Sequence, residues 1–305
     1  MNACIRSVVR CAIFHGLEVA GILKGYQGLI DGRLKLLNRR SVSNILGSGG
    51  TILKTARSCE FKTVAGQKKA KLVIKANALD GLIVIGGNGS FRGAHTFWRR
   101  HKVPVIGIPA TIDNDISGTD STIGEDTAVN TALYAIDKIR DTVTSLERIF
   151  VVEVMGRESG HIALQVGLAG GAEDIIIPER RYAIDKMCAD IRAGHKKGKV
   201  SWIIVVAEGA ASAADVAAKI TRKTRLETRV TVLGHIQRGG SPSADDRILA
   251  MRLGARAVEF LIAGQRDKMV AVVDNGIKAV DLAYAIKKRK IDTGVLYRLI
   301  RILAM

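Results

Sequence analysis

The residues best suited to chemistry gather in one loop of an otherwise basic chain. "GIPATIDNDISGTDSTIGEDTA" (107–128) holds Asp113, Asp115, Asp120, Glu125 and Asp126. One carboxylate there can take a proton from a substrate hydroxyl while another helps to hold Mg²⁺. Read as an extended segment, the loop turns Asp113 and Asp115 to the same side. Asp and Asn are also ordinary turn residues, so this run by itself is equally a turn. A second segment, "VIGGNGSFRGA" (84–94), sets Gly86, Gly87, Gly89 and Gly93 directly behind an apolar run. Glycines so placed let backbone N–H groups approach a phosphate where a helix begins. The spacing from Gly87 is GxGxxxG, which is neither the dinucleotide fingerprint nor the GxxxxGK[ST] phosphate loop. A ligand-free strand-to-helix turn would use the same residues. In "GHIQRGG" (234–240), Arg238 stands beside His235 in a glycine turn. Guanidinium grips phosphate with two parallel hydrogen bonds, whereas His235 alone reads more simply as a packed histidine.

These motifs need a frame that presents them together. β-rich apolar runs recur at Leu82–Ile85, Val103–Ile108, Ile149–Val154, Ile175–Ile177, Ile203–Ala207, Val230–Leu233 and Val270–Val273. The stretches between them have helical periodicity: Ala128, Leu133, Ile136 and Ile139 share one face of 127–140, and Leu249, Leu253, Ala257 and Phe260 share one face of 245–261. Strand and helix in alternation predict an α/β fold with parallel sheets covered on both faces. Ligands of such sheets bind at the carboxyl ends of the strands, which is where the motifs fall.

Composition narrows the function classes. The 305 residues are 47% hydrophobic, enough for two domains. Apolar runs such as "WIIVVA" (202–207) stop at strand length, short of the roughly 20 residues that span a bilayer, so no membrane association is expected. Arg6 and Arg10 interrupt any apolar signal-peptide region, and a transit peptide is the minor reading of the first residues. Cys4, Cys11, Cys59 and Cys188 form no CxxC pair, which predicts a reducing, cytoplasmic setting without disulfides or structural zinc. The formal charge of +18 points to anionic partners. Aromatic residues make up only 4%, so single-stranded nucleic acid would find few stacking platforms, and nucleic-acid binding is a distant reading resting on charge alone.

Three segments carry a family resemblance: "TIDNDISGTDSTIG" (111–124), "VVEVMGRESGHIAL" (151–164) and "TVLGHIQRGGSPSADDRILA" (231–250). In this order they resemble 6-phosphofructokinases of the phosphofructokinase A type, and the likeness runs from "MNACIRSVVR" to about Leu282. The resemblance implies two Rossmann-like doubly wound domains with mainly parallel sheets and an active-site cleft between them. Residues 1–124 plus 237–287 would bind the nucleotide, and 125–236 plus 288–305 the sugar phosphate. The family moves the γ-phosphoryl of ATP to the 1-hydroxyl of fructose 6-phosphate, giving fructose 1,6-bisphosphate and ADP in glycolysis. By similarity Asp113 is the base, Thr111 a transition-state contact and Arg157 the brace on the transferring phosphoryl. Met155 and Gly156 line the sugar, Glu208 holds its hydroxyls, and Arg148, Arg229, His235 and Arg238 cradle its 6-phosphate. Arg57, Gly87, Gly89, Ser90 and Gly93 match ATP-phosphate contacts, while Asn88 and Asp115 match the Mg²⁺ positions.

The resemblance further implies a homo-oligomer, a tetramer or dimer, whose active sites borrow Arg148 and Arg229 from a neighbouring subunit. Arg6, Arg10, Arg140, Lys197 and Lys199 fall where bacterial relatives form an effector pocket for anionic metabolites. Pyrophosphate-using relatives tend to carry Asp in place of Gly89 and Lys in place of Ala110, so these two positions favour ATP. A pyrophosphate-dependent enzyme and a weakly catalytic paralogue that binds phosphorylated metabolites are the alternatives. Two departures bear on activity. The family usually has Asp where Asn88 stands, which implies weaker metal binding, because hard cations favour carboxylates. Relatives also carry a strand and a Gly-Gly-Asp-x-Pro-Gly loop before the equivalent of Asn2. The expectation is therefore a chain lacking that strand and loop, with a truncated gene model as the simplest account.

Overall fold

Successive strand residues point to opposite faces of a sheet, and here both faces are apolar, so both must be covered. The computed structural model describes residues 1–146, 148–199 and 201–304, with the side chains of 144–146 excepted. In chain order the elements are α1 (Asn2–Phe14), β1 (Val19–Ile22), α2 (Gly25–Ile30), β2 (Leu34–Leu37), α3 (Val64–Ala76), β3 (Leu82–Gly86), α4 (Asn88–His101), β4 (Val105–Pro109) and α5 (Glu125–Leu146). They continue with β5 (Ile149–Val154), α6 (His161–Ala169), β6 (Asp174–Ile176), α7 (Ile184–Lys196), β7 (Trp202–Ala207), α8 (Ala213–Thr224) and β8 (Thr228–Val232). The last are α9 (Ala244–Ile262), β9 (Lys268–Val273), β10 (Gly276–Asp281), α10 (Leu282–Ala285) and α11 (Gly294–Leu303).

The chain forms two compact units. The first comprises Met1–Thr111, Ile116–Gly124 and Gly239–Arg289, and the second Ile112–Asp115, Glu125–Arg238 and Lys290–Met305. Residues 112–115 and 237–238 sit with the second unit, whereas the sequence division kept them with the first domain. Ile112 packs on the second unit's core, and Gln237 hydrogen-bonds within it. Residues 288 and 289 sit with the first unit, where Lys288 bridges to Ile116.

The first unit holds the sheet β10-β9-β4-β3, parallel except for β10, and a separate antiparallel ribbon of β1 and β2. Leu82, Val105, Met269 and Ala271 face a layer containing Phe91, Ala94 and Phe97 of α4 and Leu282 of α10. Ile106, Ile108, Val270 and Val272 face the opposite layer, made by Cys4 and Val8 of α1 and Leu253 and Ala257 of α9. The second unit holds the all-parallel sheet β6-β7-β5-β8. Val152, Val154, Ile203 and Val205 meet α5, α6 and α11 on one face, while Val151, Ile204 and Val206 meet α7 and α8 on the other. Each such buried aliphatic side chain contributes about 1.5–3 kcal/mol.

The seven strands expected from apolar runs are present with no end moved by more than two residues, and both expected helices form as α5 and α9. The α/β class with two Rossmann-like, mainly parallel units follows. All four cysteines are free thiols, and burial pushes Cys4 up to about 12, far from thiolate chemistry. Among the described residues no helix is long and apolar enough to cross a membrane.

Candidate active site

In the first unit, β3 passes into α4 through Gly87 alone. The turn is this tight because side chains would collide there. A Cβ on Gly86 would lie 2.5 Å from Ser90 Oγ, and one on Gly93 would lie 2.8 Å from the Tyr26 ring. Tyr26 stacks on Phe61 with centroids 3.9 Å apart, and its hydroxyl donates to the Ser90 carbonyl at 2.6 Å. The absence of a side chain at Gly93 therefore serves aromatic packing under α4. Gly89 differs: nothing lies within 4 Å of where its Cβ would be, so the backbone at the start of α4 is open to an anion. Asn88 has a buried carboxamide oxygen, Ser90 is half-buried, and Arg57 is exposed on the coil before Glu60.

The next strand leads into the carboxylate loop. The Ala110 N–H donates to the Gly86 carbonyl, and the Thr122 hydroxyl donates to the Thr111 carbonyl at 2.7 Å. These bonds fix both ends of the turn at Thr111. Asp246 Oδ1 accepts from the Gly124 N–H at 2.6 Å and anchors the segment's end to α9.

In the second unit, Asp113 is 3% exposed and Asn114 is 1% exposed. Asn114 adopts φ +43°, a left-handed conformation that breaks any extended run through 113–115. The extended reading that turned Asp113 and Asp115 to the same side is corrected accordingly: Asp113 is buried, whereas Asp115 is only half-buried. Asp113 Oδ2 lies 3.4 Å from Arg157 Nε, and the Arg157 side chain is 63% exposed.

Arg157 sits on the turn after β5, which is heavily braced. The Met155 N–H donates to Gln237 Oε1 at 2.7 Å, the Gly156 and Arg157 N–H groups donate to Glu208 Oε1 at 3.3 and 2.9 Å, and the Gly160 N–H donates to Glu179 Oε1 at 2.9 Å. Arg157 has φ +53° and Gly156 φ +146°, and a Cβ on Gly209 would meet the Arg157 carbonyl oxygen at 1.7 Å. Glu208 thus shapes the Arg157 turn with one carboxylate oxygen.

His235 and Arg238 lie on the 3₁₀ turn after β8, joined by the Arg238 N–H donating to the His235 carbonyl at 3.0 Å. Both are exposed, so His235 is not a packed core histidine. Arg148 Nε donates to Glu227 Oε2 at 2.8 Å, and Arg229 pairs with the other oxygen of Glu227. The hydrogen bond from Arg148 holds the Glu227 carboxyl below its usual range. Of the residues matched to the family's effector pocket, Arg140 donates to the Gly170 and Gly171 carbonyls at 2.6 and 2.7 Å, and Lys199 lies 3.3 Å from Glu173.

Sequence reasoning missed Gln237, Glu179 and His161. Gln237 is 1% exposed and ties Met155 to the Ala128 carbonyl through its two amide ends. Its signal was a two-sided amide inside "GHIQRGG". For a metal, no group of three His, Cys, Asp or Glu among the described residues is arranged to hold one. Mg²⁺ does not require that, since it takes one or two protein oxygens and completes its shell with water and phosphate. The carboxamide oxygen of Asn88 in the first unit and the carboxylate of Asp115 in the second are each oxygen donors of the kind Mg²⁺ takes.

Comparison with known proteins gives the family. The family model described as Phosphofructokinase covers residues 1–261. An ATP-dependent 6-phosphofructokinase from Halothermothrix orenii is 51% identical over 317 residues, spanning 100% of this chain and 96% of the relative. One from Brevibacillus brevis is 52% identical over 306 residues, spanning 100% and 95%. The solved phosphofructokinase from Saccharomyces cerevisiae superposes with a TM-score of 0.89 at 35% identity, covering 94% of this chain and 43% of the yeast chain. With an open glycine turn after one strand, a buried Asp beside an Arg on braced turns, and this coverage by relatives, the chain belongs to the phosphofructokinase family.

Proposed function

We propose that this chain transfers the γ-phosphoryl group of ATP to the 1-hydroxyl of fructose 6-phosphate, giving fructose 1,6-bisphosphate and ADP in glycolysis. The observation that carries the proposal is the buried Asp113 carboxylate with the Arg157 guanidinium 3.4 Å away, each on a hydrogen-bonded turn. Asp113 takes the proton of the sugar's 1-hydroxyl as that oxygen attacks. Arg157, mostly exposed, leaves Asp113 to bear on the charge of the transferring group, and Thr111 adds a polar contact to it. Met155 and Gly156 line the sugar, and the second oxygen of Glu208 meets its hydroxyls. The open backbone at Gly89, with Gly87, Ser90 and Arg57, belongs to the nucleotide's phosphates, whereas Gly93 supports that turn by packing on Tyr26. Asn88 and Asp115 would be the chain's oxygen donors for Mg²⁺, which would supply charge neutralisation at those phosphates.

The first unit serves the nucleotide and the second the sugar phosphate in this account. The 6-phosphate is gripped by His235 and Arg238 together with Arg148 and Arg229 of a neighbouring copy, in a homo-oligomeric, cytoplasmic enzyme. Support for a covering neighbour comes from Val232 and Ile236, which are 57% and 64% exposed and flank His235 in the sequence. Exposed apolar side chains mark an interface where they join into a contiguous patch. Light scattering after gel filtration gives the subunit number. A coupled assay for fructose 1,6-bisphosphate, run with Mg²⁺ and either ATP or pyrophosphate, tests the function. Turnover with ATP and little with pyrophosphate is expected. Preference for pyrophosphate would replace the donor, and saturable sugar-phosphate binding without turnover would make the chain a binding protein.

A further inference from the structure

The turn that presents Asp113 is held by a residue that the proposed chemistry does not use. His161 begins α6, and its side chain and that of Glu125 are each only 16% exposed. His161 Nε2 lies 2.8 Å from Glu125 Oε1 and 3.3 Å from Asn114 Nδ2. A carboxylate only accepts, so at 2.8 Å the ring nitrogen must carry the hydrogen. Asn oxygen and nitrogen are exchanged by a flip of the amide, and an N–H on the ring selects the orientation with the amide oxygen facing it. One ring N–H is then shared between Glu125 at the start of α5 and Asn114 in the turn. Asn114 stands between Asp113 and Asp115 and has φ +43°, a left-handed state that Asn tolerates better than most L-residues and that a side-chain contact can hold in place.

Resting on the phosphoryl-transfer reading, we infer that His161 is a positioning residue: it fixes the Asp113-Asn114-Asp115 turn through its shared N–H, with Glu125 setting the ring. Asp113 reaches its place because Asn114 is pinned on one side of it, while Arg157 faces it from the other. Loss of the pin lets the turn relax toward ordinary backbone angles and moves the Asp113 carboxylate. A displacement of about 1 Å at a reacting group costs about 100-fold in rate.

The test compares the full-length chain with His161→Ala and His161→Gln. Amide hydrogen exchange across 111–116 is read by mass spectrometry, and kcat and KM for fructose 6-phosphate are measured with saturating ATP and Mg²⁺. His161→Ala is expected to speed exchange in this segment and to lower kcat between about 10- and 100-fold, with KM changed less than about threefold. His161→Gln keeps a side-chain N–H donor and is expected to restore slow exchange and most of the lost kcat. Wild-type exchange in His161→Ala overturns the inference, as does an unaltered kcat or an effect confined to KM. A purely structural role would lower thermal stability alike in both variants and leave kcat unchanged while the protein stays folded. Should His161→Ala fail to fold, Glu125→Ala releases the same ring and is read in the same way. A wild-type chain without turnover would refute the phosphoryl-transfer reading, and the exchange comparison would still decide whether His161 holds the turn.

Discussion

Gly209→Ala is the sharpest perturbation, because it touches no proposed ligand contact yet pushes directly on the Arg157 turn. The added Cβ would lie 1.7 Å from the Arg157 carbonyl oxygen and 2.7 Å from its carbonyl carbon, where real Cβ contacts stay above 3.0 Å. The obstacle is backbone, so no rotamer relieves it. The turn or the end of β7 has to retreat by more than about 1 Å, in an interior packed as densely as an organic crystal. Overpacking of this kind costs about 1–3 kcal/mol, less than the 5–15 kcal/mol that typically holds a domain together, so the variant is expected to fold. Moving Arg157 by about 1 Å is expected to lower kcat about 100-fold, near 2.7 kcal/mol of barrier. The KM for ATP should stay within about twofold, since the glycine turn at Gly87 belongs to the other unit. The coupled assay and a urea melt on the same preparation separate the two effects. A folded variant with wild-type kcat would refute the reasoning, because the position of the Arg157 turn would then not govern the rate.

Three further outcomes follow from single sites. Asn88→Asp restores a charged oxygen ligand and is expected to lower the Mg²⁺ concentration for half-maximal rate by about tenfold, near 1.4 kcal/mol, read from a Mg²⁺ titration of activity. Burial raises the Asp174 carboxyl to about 6, well above the usual carboxylate range, partly offset by the Trp202 indole N–H donating to it. A carboxyl raised on folding binds more protons in the native than in the unfolded state between about pH 4 and 6, so stability falls as pH rises through that window. The penalty above it is at most about 3 kcal/mol, so Asp174→Asn should melt higher than wild type at pH 7.5 and nearly the same at pH 4. Gln237→Ala strands the buried Met155 N–H and should cost about 1–3 kcal/mol in urea unfolding, with a loss of activity that exceeds that of Gln237→Glu.

The parallel strands were legible because their two faces are both apolar: "WIIVVA" reads as a buried strand, and β7 is fully buried. β10 and the β1–β2 ribbon were not, since "GIKAVD" and "LKLL" are short, partly exposed and indistinguishable from loop by pattern. The glycine turn was placed correctly after β3, yet the sequence could not say that Gly93 answers to the Tyr26 ring while Gly89 stands open. The extended reading of "DND" failed because Asn tolerates left-handed backbone, and what selects that state, His161 and Glu125, lies 47 and 11 residues further along the chain. Likewise Glu208 and Gln237 gave no sign of bracing the Arg157 turn, since that requires close approach of segments about 50 and 80 residues apart.

The most direct test of the central claim follows the phosphorus itself. ³¹P NMR of the purified 305-residue chain with ATP, Mg²⁺ and fructose 6-phosphate should show the γ-phosphate resonance of ATP giving way, mole for mole, to ADP and a second phosphomonoester signal coupled to the C1 protons of the sugar. Loss of the γ-phosphate into inorganic phosphate, or an unchanged spectrum from folded protein, would contradict the account.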